Sequence, residues 1–221
     1  MIQIYDVHPL RSRVGDLVAG LKALEKEPMT TAKVSDFLAK VPLSPEALIP
    51  YSFWNPAHYT RNLIYRDSHF EVMALCWLPD HRTPIHSHNG QLGWMTVVQG
   101  ELVCRNYRFV RAQAVGEAIS IARSEAGQRV EVELLGSAPC CADGKVTIVD
   151  RRQTTHQIEN IEASRFGSVT LHVYSKPIDS AVLFDEVHRC CARRRMEYYS
   201  ANGSVVGRAF VTEQQFGGAV A

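Results

Sequence analysis

PIHSHNG, residues 84–90, sets two histidines one residue apart between a proline and an Asn-Gly turn. In an extended strand residues i and i+2 share a face, so His86 and His88 can aim two imidazoles at one point, an arrangement that suits a metal ion. Two surface histidines beside a turn would give the same letters, so the flanking chain decides. GWMTVVQGEL follows at residues 93–102 and reads as a β-hairpin closing at Gly100. Far downstream, HQIEN at 156–160 places a third histidine, His156, four residues before Asn160. After the H-x-H pair no acidic residue occurs until Glu101.

Working outward, the chain beyond Pro50 is built of short stretches rich in β-branched and aromatic residues. HFEVMALCWL, ELVCRNYRFV, RVEVELL, KVTIVD, SVTLHVY and RRMEYYS are separated by Gly, Pro, Asn or Asp. That spacing predicts strands of a barrel or sandwich. No long helical pattern separates them, which excludes a doubly wound parallel sheet. Before Pro50, Val14, Leu17, Val18, Leu21 and Leu24 recur at helical spacing over Arg13 to Lys26, and Val34, Phe37, Leu38 and Val41 repeat it. Ser44-Pro45-Glu46 then offers a cap, a first-turn proline and an early acid for a third short helix towards Ile49. The expected class is all-β: one domain over 1–221, with residues 1–50 forming a helical segment that packs on a β-barrel of residues 51–221.

Composition narrows the partners. Among 221 residues, 24 Lys and Arg against 23 Asp and Glu leave a formal charge of +1, so no net field attracts nucleic acid or an anionic membrane. A small-molecule substrate is expected. MIQIYDVHPL lacks the features of a signal peptide and no apolar run reaches the ~18 residues of a membrane span, which predicts a cytoplasmic protein. The six cysteines include two adjacent pairs and no C-x-x-C, a poor disulfide framework, so reduced thiols are expected. QQFGGAVA at the C-terminus is expected to fray, and nothing in the sequence speaks to oligomeric state.

H-x-H, four residues, a position usually held by Glu, six residues and Gly, followed later by H-x-x-x-N, resemble the two motifs of the cupin superfamily. In that register the Glu position is Gly93 and the Gly is Gly100. Three neutral imidazoles leave a six-coordinate divalent ion its full charge and three open positions on one face, which favours a substrate that brings its own negative donor. YTRNL (59–63), CW (76–77) with PIHSH (84–88), GELV (100–103), and TLHVYSKP (170–177) together resemble the cysteine dioxygenase type I family, thiol dioxygenases of that superfamily.

The resemblance implies a cupin-type β-barrel, or jelly roll, with Fe(II) held by His86, His88 and His156. It implies that Arg61 clamps the substrate carboxylate, a task suited to a guanidinium fork, with Tyr59 beside it. Thr170, His172 and Tyr174 alternate on one face of a strand, where they resemble the family's catalytic hydroxyl-His-Tyr relay. The implied reaction joins a small thiol, L-cysteine, with O2 to give cysteine sulfinic acid. Animal members carry a cysteine at the place of Gly93 and cross-link it to the tyrosine, so Tyr174 is expected to remain a free phenol. Trp94 and Lys176 also depart from the family pattern and leave pocket shape open. The alternatives are another small thiol, such as 3-mercaptopropionate or a further mercapto acid, and, from a different class, a non-catalytic metal-bound module that only binds ligand.

Overall fold

The computed structural model describes residues 13–25, 30–88, 90–112, 128–149, 155–161 and 167–206. The expectations for MIQIYDVHPL and QQFGGAVA lie outside these residues. Helices α1 (Val14–Leu24) and α2 (Thr31–Lys40) form where the apolar spacing placed them, α3 (Pro45–Leu48) starts at the Ser44-Pro45-Glu46 signal, and one 3-10 turn (Ile49–Tyr51) follows. Thr30 Oγ1 accepts from Lys33 N at 3.3 Å and Ser44 Oγ from Ala47 N at 3.4 Å, satisfying amide groups that a helix start leaves bare, each cap being worth ~1 kcal/mol. Leu17, Leu21, Val34, Leu38 and Leu48 turn one apolar side toward the sheet and are buried there.

Among the described residues thirteen strands follow: β1 (Thr60–Arg66), β2 (Phe70–Trp77), β3 (Ile85–His86), β4 (Leu92–Gln99), β5 (Glu101–Ala112), β6 (Gln128–Cys141), β7 (Thr147–Val149), β8 (Thr155–Glu159), β9 (Ser168–Ser175), β10 (Ser180–Asp185), β11 (Cys190–Arg195), β12 (Ser200–Ala201) and β13 (Ser204–Val205). One sheet of seven strands runs β13-β12-β1-β2-β9-β4-β7, and the other closes on itself in the order β10-β11-β6-β5-β8-β3. This is an all-β, cupin-type barrel preceded by helices. No helix among the described residues is long and apolar enough to cross a membrane, and all six cysteines are free thiols.

The alternation of β2 positions everything else. Phe70, Val72, Ala74 and Cys76 face the helices and share one core with them, while Met73, Leu75 and Trp77 face the barrel interior. β9 pairs with β2 along its full length, setting Tyr174 opposite Glu71, His172 opposite Met73 and Thr170 opposite Leu75. On the other edge of β9, β4 sets Gly93 opposite Tyr174 and Met95 opposite His172. Period two therefore delivers Thr170, His172 and Tyr174 to the interior as a column.

Two expectations need correction, and the open question of Trp94 is answered. GWMTVVQGEL is not a hairpin: β4 pairs with β9 and β7 whereas β5 pairs with β6 and β8. Gly100, at φ +80°, carries the chain from one sheet to the other, and a Cβ there would stand 2.2 Å from Ser168 Oγ. That hydroxyl accepts from Glu101 N at 3.2 Å and donates to Glu101 O at 3.1 Å, so a side-chain clasp replaces the hairpin ladder. RRMEYYS is not one strand either. β11 ends at Arg195, and the next residues cross toward β1, where Tyr199 N donates to Arg61 O at 2.8 Å. Trp94 leaves the pocket alone, because alternation turns it to the helix side, where its Nε1 donates to Thr31 O at 3.2 Å.

Candidate active site

His86 stands on β3 and His156 directly opposite it on β8; His88 lies just past the end of β3, in the connecting loop rather than on the strand. The three rings form a near-equilateral group, each pair of centroids 4.8 Å apart, and one nitrogen of each lies within 4.8 Å of the others. His86 Nδ1 lies 2.9 Å from the Pro84 carbonyl; a carbonyl only accepts, so Nδ1 carries the proton and Nε2 is left to bind a metal. His156 Nδ1 lies 3.7 Å from Cys104 Sγ. Burial pushes the pKa of His86 down to about 4, and burial followed by the neighbouring imidazoles pushes that of His156 well below its ordinary value. Neutral imidazole is the form that ligates, so the site is held ready at neutral pH.

Among the described residues no Asp, Glu or Cys joins this cluster, and the reason is steric as well as chemical. A Cβ on Gly93 would stand 2.8 Å from Tyr174 Cε1 and 2.9 Å from Cδ1. The phenol ring therefore crowds the start of any side chain at position 93, and a carboxylate there would require the inward Tyr174 to shift. Donor set and shape together fit a divalent first-row ion with an open coordination face.

Thr170, His172 and Tyr174 are buried and bonded in series. Thr170 Oγ1 lies 2.9 Å from His172 Nε2, and His172 Nδ1 lies 3.0 Å from the Tyr174 hydroxyl. The indole Nε1 of Trp77 donates to Thr170 Oγ1 at 3.0 Å, and that bond sets the direction of the chain. An indole N–H can only donate. If Thr170 also accepted from His172, its own proton would be stranded in the core, so it donates to Nε2. His172 then donates from Nδ1 to the Tyr174 oxygen, and the phenolic proton is left for the cavity. Burial, with Arg61 and His86 adding to it, lowers the His172 pKa to about 3, which keeps the ring neutral as this direction requires. Burial raises the Tyr174 pKa, so it stays a protonated phenol.

Arg61 is 4% exposed, which rules out a surface ion pair, and its Nη1 donates to Glu197 O at 3.4 Å. Tyr59 stacks on Trp77 with centroids 4.7 Å apart. A cavity of about 40 Å³ joins Arg61, Tyr174 and the three imidazoles, with Leu75 on its apolar wall. That is room for a few water molecules, so the ligand must be compact. Trp77 was quoted in the CW stretch without a role, and Met196 at the cavity wall was not singled out at all; inward alternation along β2 was the available signal for the first. His81 is buried and pins its loop by accepting from Leu78 N at 3.0 Å. Asn160 is structural in its contacts: its Nδ2 donates to Trp77 O at 3.0 Å.

A cupin barrel with a carboxylate-free cluster of three histidines opening on a small, arginine-bearing cavity is an architecture that could hold one metal ion beside a small ligand. The sequence comparisons narrow it. The model of the family "Cysteine dioxygenase type I" matches residues 10–187, and the chain belongs to that family, one of metal-dependent dioxygenases. Zebrafish cysteine dioxygenase type 1 is 22% identical over 173 residues, covering 77% of this chain and 78% of its own. The bovine protein of the same name is 25% identical over 175 residues, covering 78% and 79%. Among solved structures, an RmlC-like cupin protein from Desulfovibrio desulfuricans aligns with a TM-score of 0.37 at 16% identity over 59% of this chain and 94% of its own.

Proposed function

We propose that this protein is an Fe(II)-dependent thiol dioxygenase whose substrate is a small thiol bearing a carboxylate, L-cysteine before others. The observation that carries the reading is the cavity itself: one buried guanidinium and one phenolic hydroxyl face three imidazoles across a space that holds only a compact molecule. The overall change is RSH + O2 → RSO2H, in which sulfur gives up four electrons, both oxygen atoms end on sulfur and no outside reductant enters.

His86, His88 and His156 would hold the iron, which supplies one-electron chemistry toward dioxygen and favours the thiolate form of the substrate. Arg61 binds the carboxylate by charge-assisted hydrogen bonds in a water-poor site, where they are worth more than in solution. Tyr59, stacked on Trp77, walls the pocket beside it. Tyr174 donates its phenolic proton into the cavity, where negative charge develops on oxygen or sulfur, and His172 and Thr170 fix the direction of that proton. Leu75 and Ile178 keep water out.

The test is oxygen uptake by anaerobically Fe(II)-reconstituted protein with L-cysteine, 3-mercaptopropionate and cysteamine, the product being weighed by mass spectrometry. The expected result is a gain of two oxygen atoms on the thiol, fastest with L-cysteine and slowest with cysteamine, which has no carboxylate for Arg61. Oxygen uptake with none of them would make the barrel a binding module.

A further inference from the structure

The interior row of β2 carries one acid, Glu71, with no exposed surface. It sits behind Arg61, away from the three imidazoles, and is surrounded by donors. Tyr198 donates its hydroxyl to Oε1, and Ile178 N donates to Oε2 at 3.3 Å. Arg61 Nη2 lies 3.8 Å from Oε2 and Arg66 Nη1 4.0 Å from Oε1. The Tyr198 ring also receives Arg61, its guanidinium carbon 5.4 Å from the ring centroid, and the Tyr198 hydroxyl accepts from Arg66 Nη1 at 2.7 Å. Arg66 is tied outward to Asp179 at 2.6 Å.

We propose that Glu71 and Tyr198 together are a positioning device for Arg61, setting the guanidinium at the depth and angle at which it meets a substrate carboxylate. The inference rests on the assignment of Arg61 as the carboxylate clamp. An arginine side chain has many rotamers, and a buried guanidinium with no fixed partner would lose its orientation or draw in water. Here one nitrogen is held by the Glu197 carbonyl, another faces the Glu71 carboxylate, and the guanidinium carbon lies over the Tyr198 ring. The remaining N–H groups are left for the ligand. The carboxylate is in turn braced by the Ile178 amide and the Tyr198 hydroxyl, both on segments that lie beside the cavity, so clamp and pocket wall share one set of bonds.

Two effects of Glu71 oppose each other. Its negative charge weakens the pull of Arg61 on an anion, while its hold on the guanidinium makes that pull directional. Bidentate recognition depends on aim within a fraction of an ångström, so the second effect dominates, and removing the charge loosens carboxylate binding.

The experiment is anaerobic calorimetric titration of the Fe(II)-loaded protein with 3-mercaptopropionate and with cysteamine, which differ in the carboxylate. Glu71→Gln is expected to weaken 3-mercaptopropionate about tenfold and cysteamine less than twofold; Tyr198→Phe, which leaves the carboxylate in place, about threefold and not at all. In an Arg61→Ala background Glu71→Gln is expected to add nothing. Equal weakening of both ligands, an additive double variant, or tighter 3-mercaptopropionate binding in Glu71→Gln would each overturn the proposal; should Glu71→Gln not fold, Tyr198→Phe alone decides by the same criterion. Wild-type protein that oxidises no thiol would overturn the proposed function, yet a carboxylate-selective loss in these titrations would still stand.

Discussion

The two walls of the cavity come from different sheets and are built differently. The imidazole wall belongs to the closed sheet: His86 on a strand of two residues, His156 on one of five, and His88 in a loop. The opposite wall belongs to the seven-stranded sheet, where β2 and β9 pair residue for residue over eight positions and carry Trp77, Thr170, His172 and Tyr174 on one interior face. On that side the backbone ladder fixes the side chains, and the hydrogen bonds among them add ~0.5–1.5 kcal/mol each. On the imidazole side the Pro84 carbonyl orients His86, Cys104 Sγ lies beside His156 Nδ1, and the His88 ring stacks against Tyr174. Under the proposed function one wall would bind the ion, and the other would shape what the ion can do.

If that division is real, substitutions on the two sides should fail in different ways. His156→Ala has the largest expected effect: iron content falls below a tenth of the protein concentration, and thiol oxidation drops by more than ~10²-fold, since loss of partners outside the ligands alone typically costs 10–100-fold. Metal analysis beside oxygen uptake measures both. Tyr174→Phe comes next. It removes one donor aimed at developing charge, so kcat is expected to fall by about 10²-fold while iron stays stoichiometric. Loss of iron in this variant would break the division between the walls. Trp77→Phe keeps the stack on Tyr59 but removes the N–H that sets the direction of the relay. A fall in kcat of about fivefold is expected, matching ~1 kcal/mol for one hydrogen bond, and an unchanged kcat would reverse the assigned direction.

Period-two patterning made most of this legible. The H-x-H pair, the downstream histidine and the Thr-x-His-x-Tyr column are local signals, and the structure brings the three histidines, His172 and Tyr174, with Arg61 and Tyr59, to one cavity, which Thr170 reaches through its bond to His172. What stayed hidden depends on which strands meet. Gly100 between two strand-like runs reads as a hairpin, and only the pairing of β4 with β9 shows it as a crossing between sheets. Trp94 looked like an intruder beside Gly93, because its direction depends on which face of β4 is inward. Glu71 and Tyr198 lie 127 residues apart, and no spacing rule joins two such positions; in sequence each looks like an ordinary strand or surface residue.

The last test concerns acid, and it isolates one member of the ordered wall. Burial lowers the pKa of His172 to about 3, whereas in an unfolded chain a histidine titrates near ~6.5. Above that pH neither state takes the proton and the contribution is flat. As pH falls below it, the unfolded chain gains a proton that the folded chain refuses, so stability declines by about 1.4 kcal/mol per pH unit until the pKa near 3 is reached. Urea unfolding of metal-stripped protein at pH 7 and at successive steps down to pH 5 gives the total slope, to which His86 and His156 also contribute because their pKa values are lowered too. His172→Gln cannot take up the proton, so its slope is expected to be shallower by about one proton whatever its stability at neutral pH. Identical slopes would mean that His172 can gain a proton in the folded protein, and a cationic ring with two N–H donors could not accept from Thr170, which would undo the assigned path from Trp77 to the Tyr174 hydroxyl.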